Sequence, residues 1–188
     1  MTTEVAKRGS ARWEAGAELI ENVYGSQYGA VIPAHADEMV LVSNQQGKII
    51  AATGLREATD DFFSQVYLDT PVETAISKGL NRPVKRTDIL EVVTLATATP
   101  AAMLPLFAAV IAEGQARGKT YCMFTATSRL RQIFRKLKMD LLELAPADPE
   151  RLDNAGDWGR YYATDPVVCA VSAEHCSRHH TRILKVAA

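Results

Sequence analysis

Ile89-Leu-Glu-Val-Val-Thr-Leu-Ala-Thr-Ala-Thr-Pro100 is the stretch whose reading decides the fold. From Ile89 to Ala96 only Glu91 and Thr94 are not apolar, and Ile89, Val92, Val93 and Leu95 suit a strand buried on both faces. Pro100 stands where a first helical residue would stand, with Thr99 before it as N-cap. Almost everything from Ala101 to Ala116 is small or apolar, so a long helix packed deep against a sheet is expected. A buried strand that carries one carboxylate and turns into a helix N-terminus is a place to hold an anionic group of a ligand.

Upstream, residues 1–10 read as a loose tail. Trp13, Ala17, Ile20 and Val23 or Tyr24 fall on one face of a helix that starts near Ala11 and ends at Gly25 or Gly29. Residues 38–43 and 48–56 read as two strands of a hairpin closed by Asn44-Gln-Gln-Gly47. Residues 60–68 read as a short helix capped by acidic residues. A second helix runs to Gly79, with Thr70 as N-cap, Pro71 first and Glu73 third. Downstream, residues 120–125 form a buried strand, and Ser128 caps a helix. Leu130, Ile133, Phe134 and Leu137 are its inner stripe, with Arg129, Arg131, Arg135, Lys136 and Lys138 outward. Strands follow at 140–145 and 166–171, then a basic tail. One α/β domain at 11–174 with a mixed central sheet and helices on both faces is the simplest architecture, flanked by the N-terminal tail and a basic C-terminal tail at 175–188.

With 188 residues the chain can bury a core without metals or disulfides. Its 21 basic and 22 acidic residues give a formal charge of −1, which implies no general attraction to nucleic acid or an anionic membrane. The N-terminus lacks the apolar core of a signal peptide, and the longest apolar run is too short to span a bilayer. Three cysteines suit free thiols in a reducing compartment, so a cytoplasmic location is expected. Cys122 and Cys169 sit in apolar strands and read as core. Cys176-x-x-His179-His180 lacks a second ligand pair, so no metal site is assigned.

A set of strings, in order, carries a family resemblance: Tyr28-Gly-Ala30, Gly54-Leu-Arg56, Tyr67-Leu-Asp69 with Pro71-Val-Glu73, Glu91-Val92 with Leu95-Ala96, Phe124-Thr-Ala-Thr127 with Leu130-Arg131, Leu144-Ala145 with Ala147, and Trp158-Gly159 with Tyr161-Tyr162. Together they resemble the thermostable hemolysin family from about Tyr24 to Val168. The resemblance implies a GNAT-like acyltransferase fold, closest in layout to the acyl-homoserine-lactone autoinducer synthases. This chain departs from the family pattern at Val93-Thr94, where Gly-Asn is usual, and at Lys138, where a glycine is usual. The Gly-rich pyrophosphate loop of GNAT enzymes is also missing, with Thr97-Ala-Thr-Pro100 in its place.

The function so implied is an N-acyltransferase that moves a fatty acyl group from an acyl-CoA or acyl-carrier-protein thioester to a small amine. No cofactor would be held permanently, nor would the protein insert stably in a membrane; a homo-oligomer is allowed. The alternatives are a membrane-active, hemolysin-like protein and a catalytically silent acyl-binding partner. Glu91 and Tyr161 are the candidate catalytic groups. A carboxylate on a buried strand has its pKa raised unless paired, which suits a general base; it can equally be half of an ion pair with Arg56 or Arg86. Arg56, Tyr67, Thr94, Thr125, Trp158 and Tyr162 are assigned to the substrate. Thr94 can instead be a tolerated β-branched residue, and the aromatic cluster a lid over the core. Thr97, Thr99, Ala101 and Arg129 are assigned to the phosphate or phosphopantetheine of the donor, at a helix start that offers free N–H groups. The basic face from Arg129 to Lys138 is either solvated surface or a dock for an acidic carrier protein.

Overall fold

The structure, a computed structural model, describes residues 1–32 and 34–174. Residues 1–10 are not a loose tail. They contain β1 (Thr2–Lys7), which pairs antiparallel with β2 (Glu38–Ser43) from Thr2 opposite Ser43 to Lys7 opposite Glu38. Only Ala6 of this strand is buried, so no hydrophobic alternation announces it. Its backbone ladder holds it, helped by ion pairs from Arg12 to Glu4 and from Lys7 to Glu38. The folded unit therefore starts at Thr2 rather than at Ala11.

The first helix, α1 (Ala11–Tyr28), is capped by Ser10, whose hydroxyl accepts from the Trp13 amide at 3.2 Å, and ends on Gly29 with φ of 68°. Trp13, Gly16, Ala17, Ile20 and Tyr24 face the sheet. The hairpin to β3 (Ile49–Arg56) is closed by the Asn44 carboxamide, which accepts from the Gln46 and Lys48 amides at 3.0 Å. The expected helix at 60–68 is a 3-10 turn, Phe63–Tyr67. The acid that caps it is not a neighbour in sequence but Glu91. Thr70 likewise does not cap α2 (Val72–Leu80); the Val72 amide is taken by the Gln65 carboxamide at 2.8 Å.

The central strand, β4 (Ile89–Thr97), leads through a 3-10 turn, Pro100–Ala102, into α3 (Met103–Ala116). Thr99 makes no side-chain cap there. Pro105 falls in the first turn of α3, where its missing N–H has no intrahelical partner to lose. Then come β5 (Tyr121–Ala126), α4 (Ser128–Lys136), β6 (Leu142–Pro146) and β7 (Val167–Ser172). Thr127, not Ser128, caps α4 by accepting from the Leu130 amide at 3.2 Å. The helix ends at Leu137 and the chain turns at Lys138 with φ of 56°. The seven strands form one sheet in the order β1-β2-β3-β4-β5-β7-β6, in which only β4 and β5 run parallel.

The helices α3 and α4 cover one face over Val40, Val42, Leu55, Leu90, Val92 and Phe124. On the other face lie α1, α2, the 63–67 turn and the aromatic segment around Trp158. Cys169 is core as expected, its thiol pushed up to about 12 by burial; Cys122 is partly buried. Arg131 is not on the outward face of α4. It is buried, donating to the Ala126 and Asp165 carbonyls and the Asp165 carboxylate, and so ties α4 to the start of β7. Among the described residues no helix is long and apolar enough to cross a membrane. Cys176, His179 and His180 lie outside the described residues.

The C-terminal end of α3 is locked to the sheet by charge. Arg117 reaches Glu38 at 2.7 Å, Glu57 at 2.6 Å and Glu113 at 2.7 Å, and Lys119 reaches Glu57 at 2.5 Å. The hydrogen bond from Lys119, together with that from Arg117, holds Glu57 below the usual carboxylate range despite burial. For Glu38 burial pulls upward, but the bonds from Arg117 and Lys7 outweigh it. A depressed folded pKa contributes stability that is complete above the unfolded value and lost as pH falls through the folded one. Arg117→Met should therefore cost about 3 kcal/mol near pH 7. That loss should shrink below pH of about 4 as the carboxylates protonate. Urea melts of both proteins across pH check this; a pH-independent difference would contradict it.

Candidate active site

β4 and β5 pair only from Ile89–Val92 against Tyr121–Phe124. Beyond that they diverge: β4 stays with β3 as far as Thr97, and β5 stays with β7 as far as Ala126. The divergence follows from a bulge. Between Ala52 and Gly54 β3 advances two residues, while β4 advances three, from Ala96 to Val93. Thr94 lies in that bulge with φ of 50°, a conformation rarely adopted by a β-branched residue. The alternation of faces breaks there: Val92 and Leu95, three apart, both pack beneath α3 and α4.

The wedge between the strands opens into a cavity of about 690 Å³. On the α3/α4 side its wall is apolar, with Leu104 and Phe107 of α3, Ile133 and Phe134 of α4 and Phe124 of β5. Phe107 and Phe134 stack at 5.0 Å. On the α1 side it is aromatic with scattered polar groups: Tyr24, Tyr28, Arg56, Phe63, Ser64, Tyr67, Trp158 and Tyr161. Val93, Thr94 and Thr125 join the two lobes. The cavity thus contains residues from both faces of the sheet.

Glu91 does not stand on this wall. Its side chain is 0% exposed, and its two oxygens accept from the Phe63 and Ser64 amides, each at 2.7 Å. Burial raises its pKa, against hydrogen bonds from Ser64 and Phe63 and the charge of Arg56. Neither Arg56 nor Arg86 forms an ion pair with it; Arg86 pairs with Glu73 at 3.4 Å. A general base is expected to face a wet cleft; the position is dry, and the group organises the 63–67 turn instead. Ser64, which sequence reasoning missed, links it to the cavity: its hydroxyl lies 2.9 Å from that of Thr125. An isolated serine after two phenylalanines carries no pattern that would have found it.

Of the aromatic assignments, Trp158, Tyr161 and Tyr67 reach the wall. Tyr162 stands behind Tyr67, their hydroxyls 2.6 Å apart. Burial holds Tyr161 well above the ordinary phenol value. Arg56 donates to the Asp61 carbonyl at 2.8 Å, leaving its Nε buried without a hydrogen-bond partner, as are Thr94 Oγ1 and Trp158 Nε1.

At the mouth, Thr97, Thr99 and Arg129 line the cavity, with Lys136. Ala101 is exposed and off the wall. The 97–101 turn offers fewer free amides than expected. Pro100 has none, Ala98 donates to Ile50, and Ala102 donates to Thr99 at 3.1 Å because the helix begins as a 3-10 turn. Cations rather than a nest of amides mark this end.

The divergent parallel pair in a mixed seven-stranded sheet, with helices on both faces, is a GNAT-like α/β fold. The sequence matches the thermostable hemolysin family over residues 6–177, and the chain belongs to that family. Several solved structures share the fold at low sequence identity. The CoA-dependent acyl-homoserine lactone synthase BjaI, with SAM and isopentyl-CoA, superposes with a TM-score of 0.65 at 12% identity, covering 96% of this chain and 88% of its own. FeeM, an N-acyl amino acid synthase from uncultured soil microbes, gives 0.63 at 13%, covering 93% and 96%. TofI, in a ternary complex with an inhibitor and MTA, gives 0.61 at 16%, covering 95% and 96%. No curated protein matches the sequence.

Two residues singled out in the sequence, Thr94 and Lys138, carry a side chain into left-handed backbone, at φ 50° and φ 56°. A non-glycine residue there is strained by about 1–2 kcal/mol, less for asparagine. Thr94→Asn and Lys138→Gly should each raise the melting temperature by about 2–4 °C. Unchanged or lower values by calorimetry would contradict the strain at either position.

Proposed function

We propose that this protein is an N-acyltransferase that takes a fatty acyl group from a thioester and delivers it to an amine. The observation that carries the reading is the cavity through the β4/β5 wedge. Its apolar lobe suits an alkyl chain, its aromatic and polar lobe suits an acceptor, and the unpaired edge of β4 lies between them. That edge presents backbone N–H groups without a strand partner, and Thr94 Oγ1 is beside them. Such donors stabilise the oxyanion that forms when a thioester carbonyl is attacked.

In the proposed reaction the amine nitrogen attacks the carbonyl carbon, an N–C bond forms and the C–S bond breaks. The proton the nitrogen gives up passes through the Ser64 and Thr125 hydroxyls to the departing sulfur. Glu91 is a positioning residue that holds the Phe63 and Ser64 amides and so places the Ser64 hydroxyl. The sulfur leaves as the thiol with that proton, and Tyr161, which burial keeps protonated, donates a hydrogen bond to it without giving up its own proton. The products are an amide and a free thiol.

Phosphopantetheine is the better fit for the donor's polar arm, on CoA or on a carrier protein. The mouth has Arg129 and Lys136 to meet a phosphate, and few amides to cradle a pyrophosphate. The exposed cations beside it suit an acidic carrier in the cytoplasm. The silent-partner alternative is disfavoured because donors poised at the wedge would then have no use. Lysis, which the family description suggests, would belong to the product: a fatty amide of a polar amine is itself an amphiphile.

Incubation of the purified protein with a long-chain acyl-CoA or acyl-carrier protein and a pool of amines should release thiol and form an amide detectable by mass spectrometry. The carrier-linked donor should show the lower KM, and Arg129→Glu with Lys136→Glu should erase that preference. Absence of amide with every donor would contradict the proposal.

Glu91→Gln should be destabilised by about 1–3 kcal/mol, because one carboxamide cannot accept from both the Phe63 and Ser64 amides. Loss of activity should follow. A Glu91→Gln variant as stable as the parent by thermal melting would contradict the capping role.

A further inference from the structure

The buried donors of the α1-side lobe point to one kind of acceptor. Arg56 Nε and Trp158 Nε1 are both buried, both without a hydrogen-bond partner, and both residues line the cavity. Trp158 is 6% exposed. The two flank the Asp61–Phe63 segment: Arg56 donates to the Asp61 carbonyl at 2.8 Å, and the Trp158 ring lies 5.5 Å from that of Phe63. Among the described residues no carboxylate stands within ion-pair distance of Arg56. Leaving such donors dry and unmet is costly unless a ligand supplies the acceptor.

Charge on the wall leans the same way. Its ionisable groups, tyrosines and a cysteine apart, are Arg56, Lys119, Arg129 and Lys136, and no aspartate or glutamate lines it. Lys119 is spoken for by Glu57, and Arg129 and Lys136 are at the mouth. Arg56 is therefore the cation that an acceptor meets inside. A positively charged acceptor would find no counter-ion there. The rings of Tyr24, Tyr28, Trp158 and Tyr161 could face a cation, but Arg56 beside them would repel it.

We propose that the amine acceptor is an amino acid, its carboxylate held by Arg56 Nε and Trp158 Nε1 and its amino group directed toward the wedge. Guanidinium and indole N–H together bind the two carboxylate oxygens. The side chain then packs among the phenol rings. The product is an N-acyl amino acid. This rests on the acyl-transfer reading above and adds the acceptor class to it.

The test uses a long-chain acyl thioester donor with matched acceptors: phenylalanine, leucine and tyrosine against their methyl esters and their decarboxylated amines. Free amino acids should be used with a KM about 10²-fold below that of the ester or amine. Arg56→Gln should raise KM for the amino acid by a similar factor, and KM for the decarboxylated amine by much less. Trp158→Phe keeps the ring and removes only the N–H; it should raise KM about tenfold with an unaltered melting temperature. Equal use of the decarboxylated amines or of the methyl esters would overturn the acceptor assignment while leaving acyl transfer intact. Amide from none of the acceptors would overturn both.

Discussion

The structure depends on β4 serving two neighbours that diverge. It pairs with β5 from Ile89 to Val92 and with β3 from Glu91 onward, so Glu91 and Val92 carry both neighbours and past Val92 only β3 remains. The extra residue at the bulge turns β4 away from β5, and the edge thus exposed faces a cavity rather than another strand. Unpaired backbone groups in a protein interior need partners, and on the proposed reading a thioester supplies them. The strain at Thr94 is local to this point, and the rest of the fold keeps the opening from collapsing. From one side α3 is pinned by Arg117 to three glutamates; from the other, α4 is pinned by Arg131 to Asp165.

A buried carboxylate anchors the opposite wall. Glu91 lies opposite Arg56 across β3 and β4, with its charge solvated by two amides of the 63–67 turn. Two short amide bonds to one ionised group offset much of the desolvation that burial imposes. The turn they cap places Phe63, Ser64 and Tyr67 on the cavity. Glu91 therefore shapes the acceptor lobe without entering it, and Arg56, which forms no ion pair with it, remains directed at the cavity.

Much of this was legible in the chain. The apolar run at 89–96, the Asn-to-Gly hairpin and the Trp13–Tyr24 stripe rest on local periodicity and turn chemistry, and each element is present. The β1 strand was not visible because its side chains are almost all exposed, so only backbone pairing reveals it. Glu91 stood out correctly as a buried acid, but its partners are amides of residues 63 and 64, and no side-chain pattern records a backbone donor. Arg131 looked solvated because its sequence neighbours are basic; its partner, Asp165, lies across the fold. The bulge was equally hidden, because Thr94 reads as an ordinary β-branched strand residue.

The most direct test of the account is a crystal structure with a thioether analogue of a long-chain acyl-pantetheine, which cannot transfer its chain. The account predicts the pantetheine arm between β4 and β5 beside Thr94. The alkyl chain should lie between Phe107 and Ile133 under α3 and α4, with the aromatic lobe by Trp158 left to the acceptor. A chain bound on the Trp158 side, or at a surface away from the wedge, would contradict it.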